Sequence, residues 1–252
     1  NQAQISRDSD KDGNDVTDQD SVPDKWNEGE DDQDIEKVKV QYFDLSLRKW
    51  VTQAIVTENG EEKIIESGHK AEDDPEDVVK VDLKKSKINK VTIKFRYKIR
   101  VKNEGNIAGY AKELKDYIPN GLKFVPEDNP LWKQIDEKTI TTDQTKDILL
   151  QPGDTTEVEV VLTWINDSEN FGVMDNWAEI SKDHNDFNSP DIDSTPDKWN
   201  EGEDDQDREY IKLNYFDLAL RKWVTQAIVI ENGKETVTQT GHTPEQDPEP
   251  IV

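Results

Sequence analysis

Apolar and polar residues alternate over several long stretches. Val91, Ile93, Phe95, Tyr97, Ile99 and Val101 are interleaved with Thr92, Lys94, Arg96, Lys98, Arg100 and Lys102. A period of two sustained this long predicts a strand with one apolar and one mainly basic face. Asn103-Glu-Gly105 ends it with turn chemistry. Val158, Val160, Leu162 and Trp164 alternate with Glu157, Glu159 and Thr163, entered from a turn at Gln151-Pro-Gly-Asp154. Pro119-Asn-Gly121 predicts another turn, leading into Leu122 and Phe124. Val38, Val40 and Tyr42 predict the start of a long strand running to about Val56. No segment carries a long helical period. Many strands separated by Pro, Gly and Asn turns predict an all-β chain built on an antiparallel β-sandwich. The basic face admits a polyanion-binding reading. The plainer expectation is that its Lys and Arg lie opposite Glu157 and Glu159 on a neighbouring strand.

The pattern repeats. Residues 23–34 and 196–207 both read PDKWNEGEDDQD, an offset of 173. The match continues through Tyr42–Val56 and Tyr215–Val229, and Asp74-Pro75 answers Asp247-Pro248. Asn1-Gln-Ala-Gln-Ile-Ser-Arg-Asp8 matches Asn176-Trp-Ala-Glu-Ile-Ser-Lys-Asp183 at an offset of 175, so one copy carries a two-residue indel. Fixed-period self-similarity marks an array of like modules. The expected division is the last strand of a preceding repeat at 1–8, an acidic linker at 9–34 and a complete repeat at 35–183. A second acidic linker at 184–207 and the front of another repeat at 208–252 follow.

Composition refines this. The formal net charge is −25, but residues 1–34 and 184–207 carry −9 and −8 of it. The acid is expected to be linker chemistry rather than a property of the whole surface. Such a charge argues against nucleic acid, whose phosphates want Lys and Arg, and favours cations. The chain has no Cys, which leaves neither a disulfide framework nor a thiolate metal site. No apolar run approaches membrane-spanning length.

Three polar residues interrupt apolar stripes. Leu45, Leu47, Lys49, Val51 and Ile55 fall on one face of the first strand; Asn176 shares a face with Ala178 and Ile180; Asp116 falls between Leu114 and Ile118. A buried ammonium or carboxylate is costly unless paired. Burial drives the Lys toward its neutral, nucleophilic form and the Asp toward its protonated form. Lys49, Asp116 and Asn176 could therefore perform one chemistry without a cofactor: the amine attacks the carboxamide, the acid polarises the carbonyl and shuttles protons, and ammonia leaves. The alternatives are a buried Lys–Asp ion pair with an Asn beside it, or a Lys that snorkels to the edge.

Phe43-Asp-Leu-Ser-Leu-Arg-Lys-Trp50 and its copy at 216–223 resemble the opening strand of repeat modules in clostridial and related Gram-positive surface proteins. Asn103–Leu122 is similar to their middle and Asn176–Asp183 to their close. The resemblance implies immunoglobulin-like sandwiches akin to isopeptide-forming adhesin and pilin domains. In these a first-strand Lys is joined to a last-strand Asn with the help of an acid, and Lys49, Asn176 and Asp116 are the matching positions. It also implies an extracellular location at the cell surface or wall.

The connectors invite calcium. Asp8, Asp10, Asp12, Asn14, Asp15 and Asp18 follow a DxDxDG arrangement, in which alternate carboxylates wrap a hard cation and Gly13 permits the turn. Gln19 stands where an EF-hand has its bidentate Glu. The second copy departs further, as Asp183, Asn185, Asp186, Asp191 and Asp193, without the Gly. A self-repelling spacer is the alternative. Trp26 and Trp199 lie in the identical blocks and are expected to dock their linkers onto a domain. The expectation is a non-enzymatic stalk or fibre segment whose partners are neighbouring repeats, assembling into fibres, with no nucleic acid and no membrane span. A ligand-binding adhesin that reads glycan or host protein through exposed Trp50, Trp132, Trp164 or Trp177 is the rival. His69, His184 and His242 lie scattered, in no catalytic order with Ser and acids.

Overall fold

A computed structural model describes residues 1–73, 79–167 and 169–245; the Asp74-Pro75 and Asp247-Pro248 match lies outside them. In chain order the strands are β1 (Gln2–Gln4), β2 (Gln33–Ile35), β3 (Leu45–Glu58), β4 (Glu61–Glu66), β5 (Val79–Lys84), β6 (Val91–Asn103), β7 (Tyr110–Tyr117) and β8 (Leu122–Phe124). They continue as β9 (Lys133–Gln134), β10 (Thr139–Thr142), β11 (Thr155–Trp164), β12 (Gly172–His184), β13 (Gln206–Phe216), β14 (Gln226–Glu231) and β15 (Lys234–Gln239). Among the described residues only short 3-10 turns interrupt them, at Lys85–Lys90 and Pro126–Asp128. Two sheets of order β5-β13-β12-β7-β10-β9 and β4-β3-β6-β11-β8 face one another across a common apolar core.

The alternation explains the layers. On β6, Ile93, Phe95, Tyr97, Ile99 and Val101 are all fully buried. The basic face meets β11, where Glu157 sits opposite Arg100 and Glu159 opposite Lys98. Lys98 and Arg100 both reach Glu157 at 3.0 Å, and Arg96 reaches Glu159 at 3.0 Å. This is cross-strand charge pairing on a solvated face, as expected from the sequence. Asn103 closes β6 with its side chain wholly buried. It donates to the carbonyls of Ile107 and Leu150 and accepts from the Gly105 amide. Gly109 has no room for a side chain, since a Cβ there would lie 2.2 Å from the ring of buried Phe43.

The first strand differs from expectation at both ends. Val38 and Val40 are 83% and 75% exposed, and β3 begins only at Leu45. Beyond Val51 the register with β6 slips by one residue at Thr52. A bulge of this kind reverses the facing of everything after it. Ala54 therefore turns inward opposite Phe95, while Ile55 leaves the stripe of Leu45, Leu47, Lys49 and Val51.

The main correction concerns where the module ends. β13 lies inside the six-stranded sheet, antiparallel to β12 and parallel to β5, and Ile211 and Leu213 are wholly buried. The sandwich thus takes in residues 206–216, beyond the expected limit at 183. The segment 184–207 is not a free spacer either. β4 covers only the Gln53–Glu58 end of β3, which leaves the other end of that strand with an open edge. Alternate amides along it are taken up from the second connector and β13. Leu45 N donates to Asp191 Oδ2 (2.8 Å), Leu47 N to the Asp204 carbonyl (2.7 Å) and Lys49 N to Asp207 Oδ2 (2.7 Å). Two carboxylates and a backbone carbonyl thus satisfy an edge that would otherwise be open to another strand.

Segments that repeat in sequence share local geometry. Ala3 opposes Asp34 and Gln4 opposes Gln33, as Ala178 opposes Asp207 and Glu179 opposes Gln206. Ser21 donates to Asp31 (3.1 Å) as Ser194 donates to Asp204 (3.2 Å). Gly29 and Gly202 share a φ of 98°. β14 and β15 reproduce the β3–β4 hairpin, Gln226 opposite Gln239 as Gln53 is opposite Glu66.

Candidate functional site

Lys49, Asp116 and Asn176 meet in the core. Lys49 is 3% exposed, and Asp116 and Asn176 are fully buried. The resemblance implies a first-strand Lys49 and a last-strand Asn176, which would suit neighbouring strands at the two ends of the module. Instead β3 and β12 belong to opposite sheets, and β13 follows β12. Lys49 projects across the sandwich from β3, while Asp116 on β7 and Asn176 on β12 come from the facing sheet, whose register sets Asp116 opposite Ala178. The cross-sheet arrangement follows from the inward stripe, which aims Lys49 at the opposite layer rather than at a neighbour in its own.

Asp116 bridges the other two. Its Oδ2 accepts a short hydrogen bond from Lys49 Nζ, and its Oδ1 accepts from Asn176 Nδ2 at 2.8 Å. Asn176 Nδ2 also donates to the Tyr117 carbonyl at 2.9 Å. A carbonyl can only accept, so this contact fixes which amide atom is nitrogen. It leaves Asn176 Oδ1 buried with no hydrogen-bond partner. Asp116 therefore touches the leaving nitrogen, where the sequence reading had it polarising the carbonyl oxygen. Burial pulls Lys49 below the ordinary ammonium value, against the raising influence of Asp116, Asp207 and Glu209. The Tyr97 ring lies 4.9 Å from Nζ and walls off that side.

Two acids near the site were not singled out from the sequence. Asp207 and Glu209 lie on β13, Glu209 opposite Asn176. Their signal was present in the repeat, but assigning Asp207 to the linker and Glu209 to the next module hid it. Burial, then repulsion from Asp207, pushes Glu209 up to about 8, and its Oε1 lies 2.8 Å from His69 Nδ1. A carboxyl group that holds its proton more tightly folded than unfolded stabilises at low pH. That contribution is complete below about 4.5 and lost as pH rises through about 8. Glu209→Gln should therefore flatten the loss of stability between these limits, by about 1–3 kcal/mol in urea denaturation series at pH 5 and pH 8.

The calcium candidates divide. In the first connector, Asp10 Oδ1 accepts the amides of Asp12 and Asn14 at 2.9 Å, in a turn through Gly13 at φ 83°. Asp12 pairs with Lys11 (2.9 Å) and Asp15 with Arg7 (3.6 Å), while Asp18 accepts the Asp20 amide. Asp8 joins no acidic group there that gathers ligand atoms. In the second, Asp183 is held in β12 opposite Ala111, and Asp186 is exposed. The Asn185 side chain is consumed by Phe187 and Ser189. Asp191 and Asp193 do converge, and with Asp44, which the sequence reading missed, they bring carboxylate oxygens within 4.8 Å of one another.

The tryptophans expected to be exposed are mostly not. Trp50, Trp132 and Trp164 are buried, Trp132 donating to the Glu159 carbonyl and Trp164 to that of Asn170. Trp177 is half-buried, stacked on Tyr117 at 3.7 Å with Trp199 edge-on at 4.6 Å. Trp199 thus docks its connector onto β12. No helix among the described residues is long and apolar enough to cross a membrane. No protein-family model matches the chain, and no curated protein matches it.

Proposed function

We propose that this chain is a load-bearing, non-enzymatic segment of a tandem-repeat surface protein, made of immunoglobulin-like modules with an internal Lys49–Asn176 amide. The observation that carries the reading is the buried bridge in which one Asp116 carboxylate touches both the amine and the carboxamide nitrogen. Desolvation favours the neutral amine, the reactive form. Nζ forms a bond to Asn176 Cγ, and the Cγ–Nδ2 bond breaks. Asp116 Oδ2 takes the proton lost by Nζ. Oδ1 returns a proton to Nδ2, which leaves as ammonia. Asp116 ends as it began, and the core exchanges a neutral amine and a primary amide for one secondary amide.

A cross-link that ties two facing sheets has little use in a free-standing binder and a clear one in a stalk under tension. The resemblance of the Phe43–Trp50, Asn103–Leu122 and Asn176–Asp183 stretches to Gram-positive surface modules points the same way and supports an extracellular location, with neighbouring repeats as partners. The adhesin alternative is left with Trp177 and Trp199, which flank a shallow cavity with Asp175 and Arg208.

Intact mass of the folded fragment tests the reading. One ammonia should be missing, not two: Lys222 has no later partner in this chain and Asn1 no earlier one. Tryptic digestion should yield a branched peptide joining the Lys49 and Asn176 regions. A full, unmodified mass in correctly folded protein would reduce the triad to a buried ion pair with an Asn neighbour.

A further inference from the structure

We propose that Asp44, Asp191 and Asp193, with half-buried Asp204 and buried Asp205 beside them, form a calcium site that clasps the second connector to the start of β3. The proposal goes beyond the stalk reading and stands whether or not the Lys49–Asn176 amide forms. Three of these carboxylates, from segments nearly 150 residues apart, present oxygens within 4.8 Å of one another. Opposed ligands on a calcium ion, bound at 2.3–2.6 Å, lie about 5 Å apart, so the spacing suits one ion.

Proximity of acids alone would not make a site. Asp205 supplies an independent observation. It is 2% exposed, yet neither of its carboxylate oxygens has a hydrogen-bond partner, and Asp44 Oδ1 is likewise buried and unpartnered. A buried carboxylate is paired with a cation, coordinated to a metal, or protonated. The strongest charges acting on Asp205 come from Glu203, Glu179, Asp191 and Asp204, and those on Asp204 from Asp193, Asp44 and Glu104, all of them acids. Lys102 acts on Asp44, but more weakly than Asp191, Asp193 and Glu104 do. Burial first, and these neighbours next, push Asp204 to about 6 and Asp205 to about 7.

The backbone holds the bowl in place without the ion. Ile192 N donates to the Phe43 carbonyl at 2.9 Å, and Ile180 N to the Asp205 carbonyl at 2.9 Å. The connector is thereby pinned to both sheets on either side of its acids. The donors are all oxygen, with no His or Cys among them, which favours a hard cation over zinc. Calcium accepts six to eight oxygens in flexible geometry, whereas magnesium demands an octahedron and keeps its waters. The repeat copies most of the set: Asp18, Asp20, Asp31 and Asp32 correspond to Asp191, Asp193, Asp204 and Asp205, and Asp32 also leaves a buried oxygen unpartnered. Asp217 corresponds to Asp44.

Calorimetric titration of the chelator-stripped full chain with calcium chloride decides the matter, read beside thermal melts. Wild type should show saturable uptake with a dissociation constant of about 10⁻⁶–10⁻³ M. At a hundredfold excess of calcium over that constant the melting temperature should rise by about 5–10 °C. Asp44→Asn and Asp193→Asn should each weaken uptake tenfold or more. Asp193 is exposed, so its variant keeps the fold and remains decisive if Asp44→Asn does not. Asp12→Asn, in the first connector, should leave the affinity unchanged. Absence of uptake, uptake indifferent to Asp193→Asn, or uptake lost with Asp12→Asn instead would each overturn the proposal.

Discussion

Ile211→Ala should cost the fragment about 2–5 kcal/mol, whereas Val38→Ala, at the same position of the repeat, should change its stability by less than about 0.5 kcal/mol. Chemical denaturation of the two variants, with Trp fluorescence as probe, reads both values. The sequence treats these positions as equivalents, 173 residues apart. The fold does not. Ile211 is wholly enclosed between β12 and β5, and removing its side chain leaves a cavity that a two-sided sheet cannot collapse. Val38 is 83% exposed and lies in no strand. A domain of this size loses about 2–4 °C of melting temperature per kcal/mol, so Ile211→Ala should melt roughly 5–15 °C early. Equal effects at the two sites would return the boundary to 35–183 and make β13 an accessory.

That boundary shows what the sequence could and could not convey. Period-two alternation located β6 and β11 and foretold which faces they bury, because facing is a property of the strand itself. Local turn chemistry located Gly121 and Gly153, both at positive φ. A repeat, however, fixes a period and not a phase. From Tyr210 to Leu220 the apolar positions run on without a Gly or Pro, so no strong breaker marks where one module closes and the next opens. The bulge at Thr52 was hidden for a similar reason, since an inserted residue is visible only against the partner strand.

The site was legible to the same extent. Lys49, Asp116 and Asn176 stood out because a polar residue on an apolar stripe conflicts with its surroundings, and such conflicts mark functional positions. That Lys49 would face the other sheet was not legible, because strand order is a tertiary property. Asp44, Asp204, Asp205, Asp207 and Glu209 were invisible among so many acids. In the connectors a carboxylate that caps an edge amide looks the same as one that only solvates a spacer. Only the open edge of β3 separates the two, through the bonds from Leu45 and Lys49.

Asp116→Ala should yield a chain of full mass, one ammonia heavier than wild type after allowing for the substitution, and much less stable to heat. Two losses combine. The cross-link would close a loop of more than a hundred residues, and by analogy with a disulfide its absence removes roughly 5 kcal/mol on an entropic account. The variant also strands Lys49 in the core without its counter-charge, which for a broken buried pair costs about 3–5 kcal/mol. Asn176→Ala separates these terms. It also abolishes the cross-link, yet keeps the Lys49–Asp116 pair, so it should lose only the loop contribution and the cavity left by one small side chain. The ordering of melting temperatures is therefore wild type, then Asn176→Ala, then Asp116→Ala. Under pulling force the difference is qualitative. With the amide in place, tension entering at β3 passes through Lys49 to β12, and the residues between 49 and 176 cannot extend. In single-molecule pulling the wild-type module should release only its ends, while both variants should release the full contour of the domain. Full extension of the wild type, or a melting temperature for Asn176→Ala equal to it, would show that hydrogen bonds and packing alone hold this core.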